Sequence, residues 1–257
     1  QMPNSVISIG SQAFYLDSNL KSINLSKGIR NIPSYAFSGT RLTEIILPEG
    51  IEVIEGYAFS SCTNLETINF PESLQSINGT AFNNCKNLKN ISIDKNNQNF
   101  KLTNNILIGN KETEMIIILE SAVKDNSFTV PEGVKRLRTG QIRHFPQLET
   151  VYIPKSVTLI ESDFINNNIE NVIIDENNTK YETYQNGIYI KENGERKELV
   201  RYYGNESIVA IEEGIERIGD YAFKSKDLNK VSFPQSLKSV SNYIFSGCKN
   251  ITSIRLG

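Results

Sequence analysis

The chain has 257 residues and a net charge of −2, from 27 basic and 29 acidic side chains. This near balance argues against a polyanion-binding surface, because nucleic-acid-binding proteins usually carry a basic face. The longest apolar run, Met115–Leu119, has the length of a strand and cannot cross a bilayer as a helix. We therefore expect no nucleic-acid partner and no membrane insertion by this segment.

A hydrophobic pattern recurs along the chain about every 23 residues, and its clearest copy is residues 48–70. The apolar positions of that copy are Ile51, Ile54, Ala58, Phe59, Cys62, Leu65, Ile68 and Phe70. The position of Phe59 is filled elsewhere by Phe14, Phe37, Phe82, Ile142, Phe164, Phe223 and Phe245. A period of roughly 20–29 residues is typical of leucine-rich repeats, so the pattern predicts a solenoid whose coils pack on their neighbours.

Each repeat divides into pieces with different periodicities. Ile68 and Phe70 alternate with polar residues, which predicts a short strand with both side chains pointing inward. Ala58, Phe59 and Cys62 have the spacing of one helical turn, either α or 3₁₀. Stacked repeats would place the strands in one parallel sheet and the phenylalanines in an internal ladder.

Two segments of equal length, 94–130 and 175–211, interrupt the pattern at an offset of 81 residues. Each contains two apolar runs, and we predict a projecting β-hairpin in each, with strands at 105–109 and 115–119, and at 187–191 and 198–203. Asn193-Gly194 is a strong hairpin-turn signal in the second segment.

The predicted order is a single solenoid over 1–257: repeats 5–93, hairpin unit 94–130, repeats 131–174, hairpin unit 175–211 and repeats 212–256. Stacking these units gives a parallel sheet of about ten strands. The chain begins part-way into a repeat and ends just after a repeat strand, without the polar caps that solenoids need. We therefore expect it to be a fragment of a longer protein.

The skeleton Pro-x-x-Ile-x-x-Ile-x-x-x-Ala-Phe-x-x-Cys-x-x-Leu-x-x-Ile-x-Phe of residues 48–70 resembles the BspA-type leucine-rich repeat. The resemblance covers the chain from about Val6 to Leu256, with departures at Gln141-Ile142 and at Lys226, where Cys is usual. It implies a right-handed α/β-type leucine-rich-repeat superhelix, β-rich with short helical or 3₁₀ turns. It also implies a bacterial protein that is secreted or held at the cell surface, with an adhesive role and no catalytic residues.

Outward-facing strand residues would line a concave sheet face, the surface that solenoids commonly use for binding. The candidate binding residues are Asn24, Ile46, Asn69, Ser92, Thr129, Tyr152, Ile173, Lys230, Ser232 and Arg255. Tyr152 is the predicted anchor, because tyrosine is enriched at binding hot spots. The alternative is a solvated sheet face without a ligand.

Other candidate sites have structural interpretations. Cys62, Cys85 and Cys248 share one repeat position, where buried free thiols fill a slot; a Cys62–Cys85 bridge is the alternative. Asp94 and Asp175 open the hairpin units with Asp/Asn clusters, which lack the EF-hand pattern and suit Asx turns better than calcium.

The only histidine, His144, adjoins no nucleophile motif. It belongs to a basic cluster with Lys135, Arg136, Arg138 and Arg143. For this cluster a solvated convex edge is favoured over a polyanion site. We thus predict no catalytic residue, no metal and no cofactor.

These patterns favour a non-enzymatic binding or adhesion module whose partner is a protein or glycoprotein of the host matrix or of another cell surface. The alternative is a passive structural spacer within a larger surface protein, and an enzyme ranks third. We expect a monomer.

Overall fold

The computed structural model describes residues 2–109, 113–142, 145–165, 168–224 and 226–257. The chain divides into two compact units, Gln1–Ala122 and Val123–Gly257. Each unit is built of short parallel strands stacked coil on coil, and the 3₁₀ turn Glu120–Ala122 is the one helix among the described residues. The protein is therefore a β-solenoid. Arg143 and His144, two members of the predicted basic cluster, lie outside the described residues.

The first unit contains two parallel sheets of three strands. One consists of β1 (Asn31–Ile32), β3 (Val53–Ile54) and β5 (Ser76–Ile77), and the other of β2 (Glu44–Ile45), β4 (Thr67–Phe70) and β6 (Asn90–Ile93). Equivalent residues of successive coils are register partners, as with Ile68 and Ile91. This alignment places the inward side chains of one coil directly on those of the next.

Three antiparallel strands follow in the first unit: β7 (Lys101–Thr103), β8 (Ile106–Gly109) and β9 (Glu114–Ile118). The sequence predicted only two of them, because the short strand β7 has no clear apolar run. The turn between β7 and β8 has positive φ at Asn104 and Asn105, 50° and 63°. Two such residues define the tight turn that suits hairpin twist, and asparagine tolerates this conformation.

The second unit repeats this plan. Its outward-facing strands are β10 (Ser127–Thr129), β12 (Thr150–Ile153) and β14 (Asn171–Ile174), and then β18 (Ile208–Ala210), β20 (Lys230–Ser232) and β22 (Ser253–Arg255). Its other short parallel strands are β11 (Arg136–Leu137), β13 (Leu159–Ile160), β19 (Arg217–Ile218) and β21 (Ser239–Val240). Its antiparallel strands are β15 (Tyr181–Tyr184), β16 (Gly187–Glu192) and β17 (Glu195–Tyr202). The predicted turn at Asn193-Gly194 joins β16 to β17 with φ of 52° and 83°.

The sheet differs from the expected continuous sheet of about ten strands. The strands of the described residues that correspond to it form three separate sheets of three strands, β2-β4-β6 in the first unit and β10-β12-β14 and β18-β20-β22 in the second. Residues 22–25, which include the candidate Asn24, form no strand. The antiparallel segment 175–207 separates β14 from β18, so the insertion interrupts the ladder.

The predicted helical turns are wrong, and this removes the α/β-type class. At these positions the backbone bonds to the next coil: Phe37 N–H donates to the Ala58 carbonyl at 2.8 Å, and Phe59 N–H to the Ala81 carbonyl at 2.9 Å. Tyr35 and Tyr57 have positive φ, 58° and 59°. A left-handed residue in each turn ends any helix and directs alternate N–H groups toward the neighbouring coil.

The predicted phenylalanine ladder is confirmed. In the first unit the ring centroids of Phe14, Phe37, Phe59 and Phe82 follow one another at 5.2, 5.4 and 5.3 Å, with planes within 8° of parallel. In the second unit Phe223 stacks on Phe245 at 5.3 Å. Such spacing lies in the favourable range for offset aromatic stacking, so the ladder ties each coil to the next through the core.

The cysteines are free thiols, and each donates a hydrogen bond to the preceding coil. Cys62 Sγ lies 3.0 Å from the Phe37 carbonyl, and Cys85 Sγ lies 3.0 Å from the Phe59 carbonyl. Lys226 replaces cysteine at this position, and its Nζ donates to the Tyr203 carbonyl at 2.7 Å. Burial lowers the pKa of Lys226 to about 8. The side chain three residues after the ladder phenylalanine therefore packs in the core and also donates a hydrogen bond to a backbone carbonyl of the preceding coil.

The ladder predicts a large stability loss on truncation of a middle ring. Phe59→Ala should lower the free energy of unfolding by about 3–5 kcal/mol, since a fully buried phenylalanine leaves a cavity between two rings. Phe14 stacks on one ring only and is half-buried, so Phe14→Ala should cost clearly less. Urea unfolding followed by circular dichroism measures both values, and equal losses would contradict the ladder's role.

The thiols give a second prediction. Burial raises the pKa of both Cys62 and Cys85, and a protonated, buried thiol reacts slowly. Ellman's reagent at pH 8 should therefore label neither residue in the folded protein and both after unfolding in urea. A Cys85→Ser variant assigns the signal. Failure to label either thiol in unfolded, unreduced protein would instead reveal the Cys62–Cys85 bridge.

Candidate functional site

The strand register of the second unit brings three predicted binding residues into one row. Thr129 and Tyr152 are partners across β10 and β12, and Tyr152 and Ile173 are partners across β12 and β14. Tyr152 is 40% exposed and Ile173 is 47% exposed. Side chains on neighbouring strands lie about 4.8 Å apart, so these residues form a continuous apolar patch with one polar end.

Three other predicted residues lie on β20 and β22 of the same unit. Ser232 pairs with Arg255, and Lys230 is the register partner of both Ile208 and Ser253. Lys230 and Arg255 are exposed, so this sheet presents positive charge. The remaining candidates, Asn24, Ile46, Asn69 and Ser92, belong to the first unit.

Asn69 is already engaged within the fold. Its Oδ1 accepts from Leu47 N–H at 2.7 Å, and its Nδ2 donates to the Leu47 carbonyl at 3.0 Å. This pair of bonds continues the ladder two residues past the end of β2. Its neighbour Ser92 is exposed, and Ile46 is 67% exposed. Asn69 therefore has the geometry of a structural residue.

A cleft of about 310 Å³ that the sequence did not predict lies beside β18. Four consecutive residues, 208–211, form one wall. Asn186, Tyr189, Tyr202 and Glu206 contribute to the rest of the lining. All of these residues belong to the second unit, and the cleft lies where the antiparallel segment returns the chain to the parallel sheet.

Glu206 is the charged group of this cleft. The Tyr202 hydroxyl donates to one carboxylate oxygen and Asn186 Nδ2 donates to the other at 2.8 Å. These bonds, chiefly the one from Tyr202, lower the pKa of Glu206, so the carboxylate is ionised at neutral pH. A Cβ at Gly204 would collide with both Glu206 and the Tyr202 hydroxyl, which explains the glycine. The polar stretch Gly204-Asn205-Glu206-Ser207 before a strand was the signal in the sequence.

The repeat signature and the stacked coils agree with a known family. The family described as BspA type leucine rich repeat region, in six copies, matches residues 1–109, 118–187 and 201–257. The chain belongs to the BspA-type leucine-rich-repeat family.

Two solved structures show the same fold, and a third has a lower structural similarity. A leucine rich cell surface protein of Faecalibacterium prausnitzii A2-165 is 19% identical, with a TM-score of 0.52 over 99% of this chain and 78% of that one. A leucine-rich repeat protein of Eubacterium ventriosum is 16% identical, with a TM-score of 0.50 over 84% of this chain and 60% of that one. The pneumococcal vaccine antigen PcpA is 20% identical, with a TM-score of 0.45 over 98% of this chain and 56% of that one. This chain therefore spans little more than half the length of PcpA. No curated protein matches the sequence.

The Asp/Asn clusters of this BspA-type chain form turns. Asp94 Oδ1 accepts a hydrogen bond from Asn96 N–H at 2.9 Å, which is the bond that defines an Asx turn. The next asparagine, Asn97, is buried and donates to the Pro71 and Leu74 carbonyls at 2.7 and 3.0 Å. Asp175, Asn177 and Asn178 repeat this arrangement one duplication later. The clusters therefore close the coil onto its predecessor.

Among the described residues, no group of three or more His, Cys, Asp or Glu side chains is arranged to hold a metal ion. No helix in that part of the chain is long and apolar enough to cross a membrane.

Asn69 yields a prediction that separates structural from ligand-binding residues. Asn69→Ala removes the acceptor for the Leu47 N–H and should lower the free energy of unfolding by about 1–3 kcal/mol. Ser92→Ala is the matched control, because Ser92 is the register partner of Asn69 and is exposed, so its loss should stay within about 0.5 kcal/mol. Urea unfolding measures both. If Asn69→Ala had the same free energy of unfolding as the wild type, the structural role of Asn69 would be contradicted and Asn69 would again be a candidate ligand contact.

Proposed function

We propose that this chain is a non-enzymatic binding module of a bacterial cell-surface or secreted protein, and that it holds a protein or glycoprotein ligand on its outward sheet face. The observation that carries the proposal is the apolar row of Tyr152 and Ile173 beside Thr129. The F. prausnitzii protein, named as a cell surface protein, supports the location.

The row has the composition of a binding anchor. A half-exposed tyrosine offers a large rigid ring and a hydroxyl, and few side-chain torsions are ordered when it is covered. Ile173 extends the apolar area, and Thr129 supplies a hydrogen-bonding edge. A ligand that covers this row removes apolar surface from water, which is the main favourable term in association.

The cationic side chains on the sheet β18-β20-β22 favour a ligand of negative charge. Lys230 and Arg255 are exposed on β20 and β22, and exposed charges mainly increase the association rate and select partners of opposite charge. We therefore propose an acidic protein or glycoprotein ligand. In the first unit Ile46, Asn24 and Ser92 are proposed as secondary contacts, whereas Asn69 is occupied by Leu47.

A passive spacer is the second candidate function. Stacked phenylalanines and backbone bonds between successive coils would make each unit stiff without any ligand. The two functions differ in one measurable respect, because only the first requires Tyr152 to be covered by a partner.

Surface plasmon resonance on immobilised extracellular-matrix glycoproteins tests the proposal. Tyr152→Ala should raise the Kd about 30-fold, the loss of roughly 2 kcal/mol that a hot-spot residue gives, and Lys230→Glu should slow association in low salt. Tyr243→Ala is the matched control, since Tyr243 is 69% exposed in the same unit but follows β21 in a turn. Absence of binding to every glycoprotein tested would favour the spacer.

A further inference from the structure

The strand β18 has one side without a strand partner. Its register with β20 is defined by Lys230 N–H donating to the Ser207 carbonyl at 3.1 Å and Ile211 N–H donating to the Ser232 carbonyl at 2.9 Å. In a parallel strand the N–H and C=O of one residue point to the same side, and successive residues alternate. Ser207, Val209 and Ile211 therefore face β20, while Ile208 and Ala210 direct their backbone groups away from it.

Among the described residues β18 pairs only with β20, so the backbone groups of Ile208 and Ala210 form a free sheet edge. The cleft described above is lined by both the outward pair, Ile208 and Ala210, and the inward pair, Val209 and Ile211. A depression over one sheet face would touch alternate residues only, because side chains alternate between faces. The cleft therefore runs along the edge of the strand.

Natural proteins usually protect free edges with proline, charge, a bulge or a covering element. The three residues of β18 are Ile, Val and Ala, and Ile208 is 63% exposed. None of them supplies such protection. The edge is therefore competent to add another strand.

The charges around the edge select the kind of strand. Glu206 precedes β18 and is exposed, whereas Glu212, which follows β18, is paired with Arg196. The three residues of β18 include no basic residue, so a second copy of this strand would bring no cation to Glu206. The Glu206 carboxylate accepts from Tyr202 and Asn186, and because the residue is exposed, a cation can still reach it. A basic side chain on the incoming strand satisfies this requirement.

We propose that the free edge of β18 binds an extended peptide segment of another protein, by strand addition, with a Lys or Arg of the peptide on Glu206 and an apolar residue on Ile208. The backbone of Ile208 and Ala210 supplies the hydrogen bonds, and the cleft supplies the selectivity, as in other strand-addition complexes. This inference rests on the proposed binding function and adds a partner class and a second site to it.

The probe is a blocked, fluorescein-labelled heptapeptide of alternating valine and threonine with a central lysine, measured by fluorescence anisotropy. The first comparison peptide has threonine in place of the lysine, and the second is N-methylated at alternate amides. The variants are Ala210→Pro, which removes one outward N–H and retains the bonds of Val209 and Ile211 to β20, and Glu206→Gln. Glu176→Gln is the matched control, an exposed carboxylate in the same unit.

We expect saturable binding of the lysine peptide that weakens about ten-fold on N-methylation and in Ala210→Pro, the effect of one lost hydrogen bond. Glu206→Gln should weaken binding of the lysine peptide about five-fold, as for a solvent-exposed ion pair, and should not change binding of the threonine peptide. Glu176→Gln should not change binding of either peptide. Hydrogen exchange at the Ile208 and Ala210 amides should slow when the peptide is added.

No saturable binding at about 1 mM peptide, or equal binding by the N-methylated peptide, would overturn the proposal; the second result needs no variant and is independent of any folding defect in Ala210→Pro. Tyr152→Ala should leave peptide binding unchanged. Loss of the peptide site while Tyr152-dependent glycoprotein binding persists would thus remove this inference alone, whereas loss of glycoprotein binding alone would remove the function proposed for the sheet face.

Discussion

Each coil of this solenoid depends on the neighbouring coil for many of its backbone hydrogen bonds. The strands are two to four residues long on the parallel sides, and the turns bond across coils, as Phe59 does to Ala81. The bonds within a coil, such as Ala58 N–H to the Glu55 carbonyl, leave other groups, such as Phe59 N–H, that bond only to the next coil, and buried unpaired groups are costly. Register is consequently fixed, because a shift of one residue would break the ladders and separate Phe59 from its ring neighbours. Stability then arises from contacts between nearest neighbours.

Periodicity predicted the parts of the fold that repeat, and it failed where different conformations share one spacing. The phenylalanine ladder followed from the recurrence of Phe37, Phe59 and Phe82, since identical coils must stack identical side chains. The turn containing Ala58 and Phe59 was predicted as helical because apolar residues three apart fit a helix and a tight turn equally well. The left-handed φ of Tyr35 and Tyr57 could not be predicted from the residue type, because glycine or asparagine usually occupies such positions.

The candidate site was predictable to the extent that it depends on strand alternation. Tyr152 and Ile173 were correctly assigned outward, because neighbours in a strand point to opposite faces. The engagement of Asn69 by Leu47 was not predictable, since it depends on a contact between coils that no local pattern encodes. The same holds for Glu206, which is oriented by Tyr202 and by Asn186, a residue twenty positions away in the turn between β15 and β16.

The insertions explain where a repetitive protein acquires distinctive surfaces. In an unbroken solenoid every inner strand is paired on both sides, so only the ends of the ladder have free backbone groups. The antiparallel segment before β18 breaks the ladder inside the second unit, and the chain returns through Gly204 and Glu206 to start a new sheet. That return creates a free edge, a cleft and an oriented carboxylate together. The periodic coils thus supply rigidity, and the groups available for specific binding are found where the insertion interrupts the period.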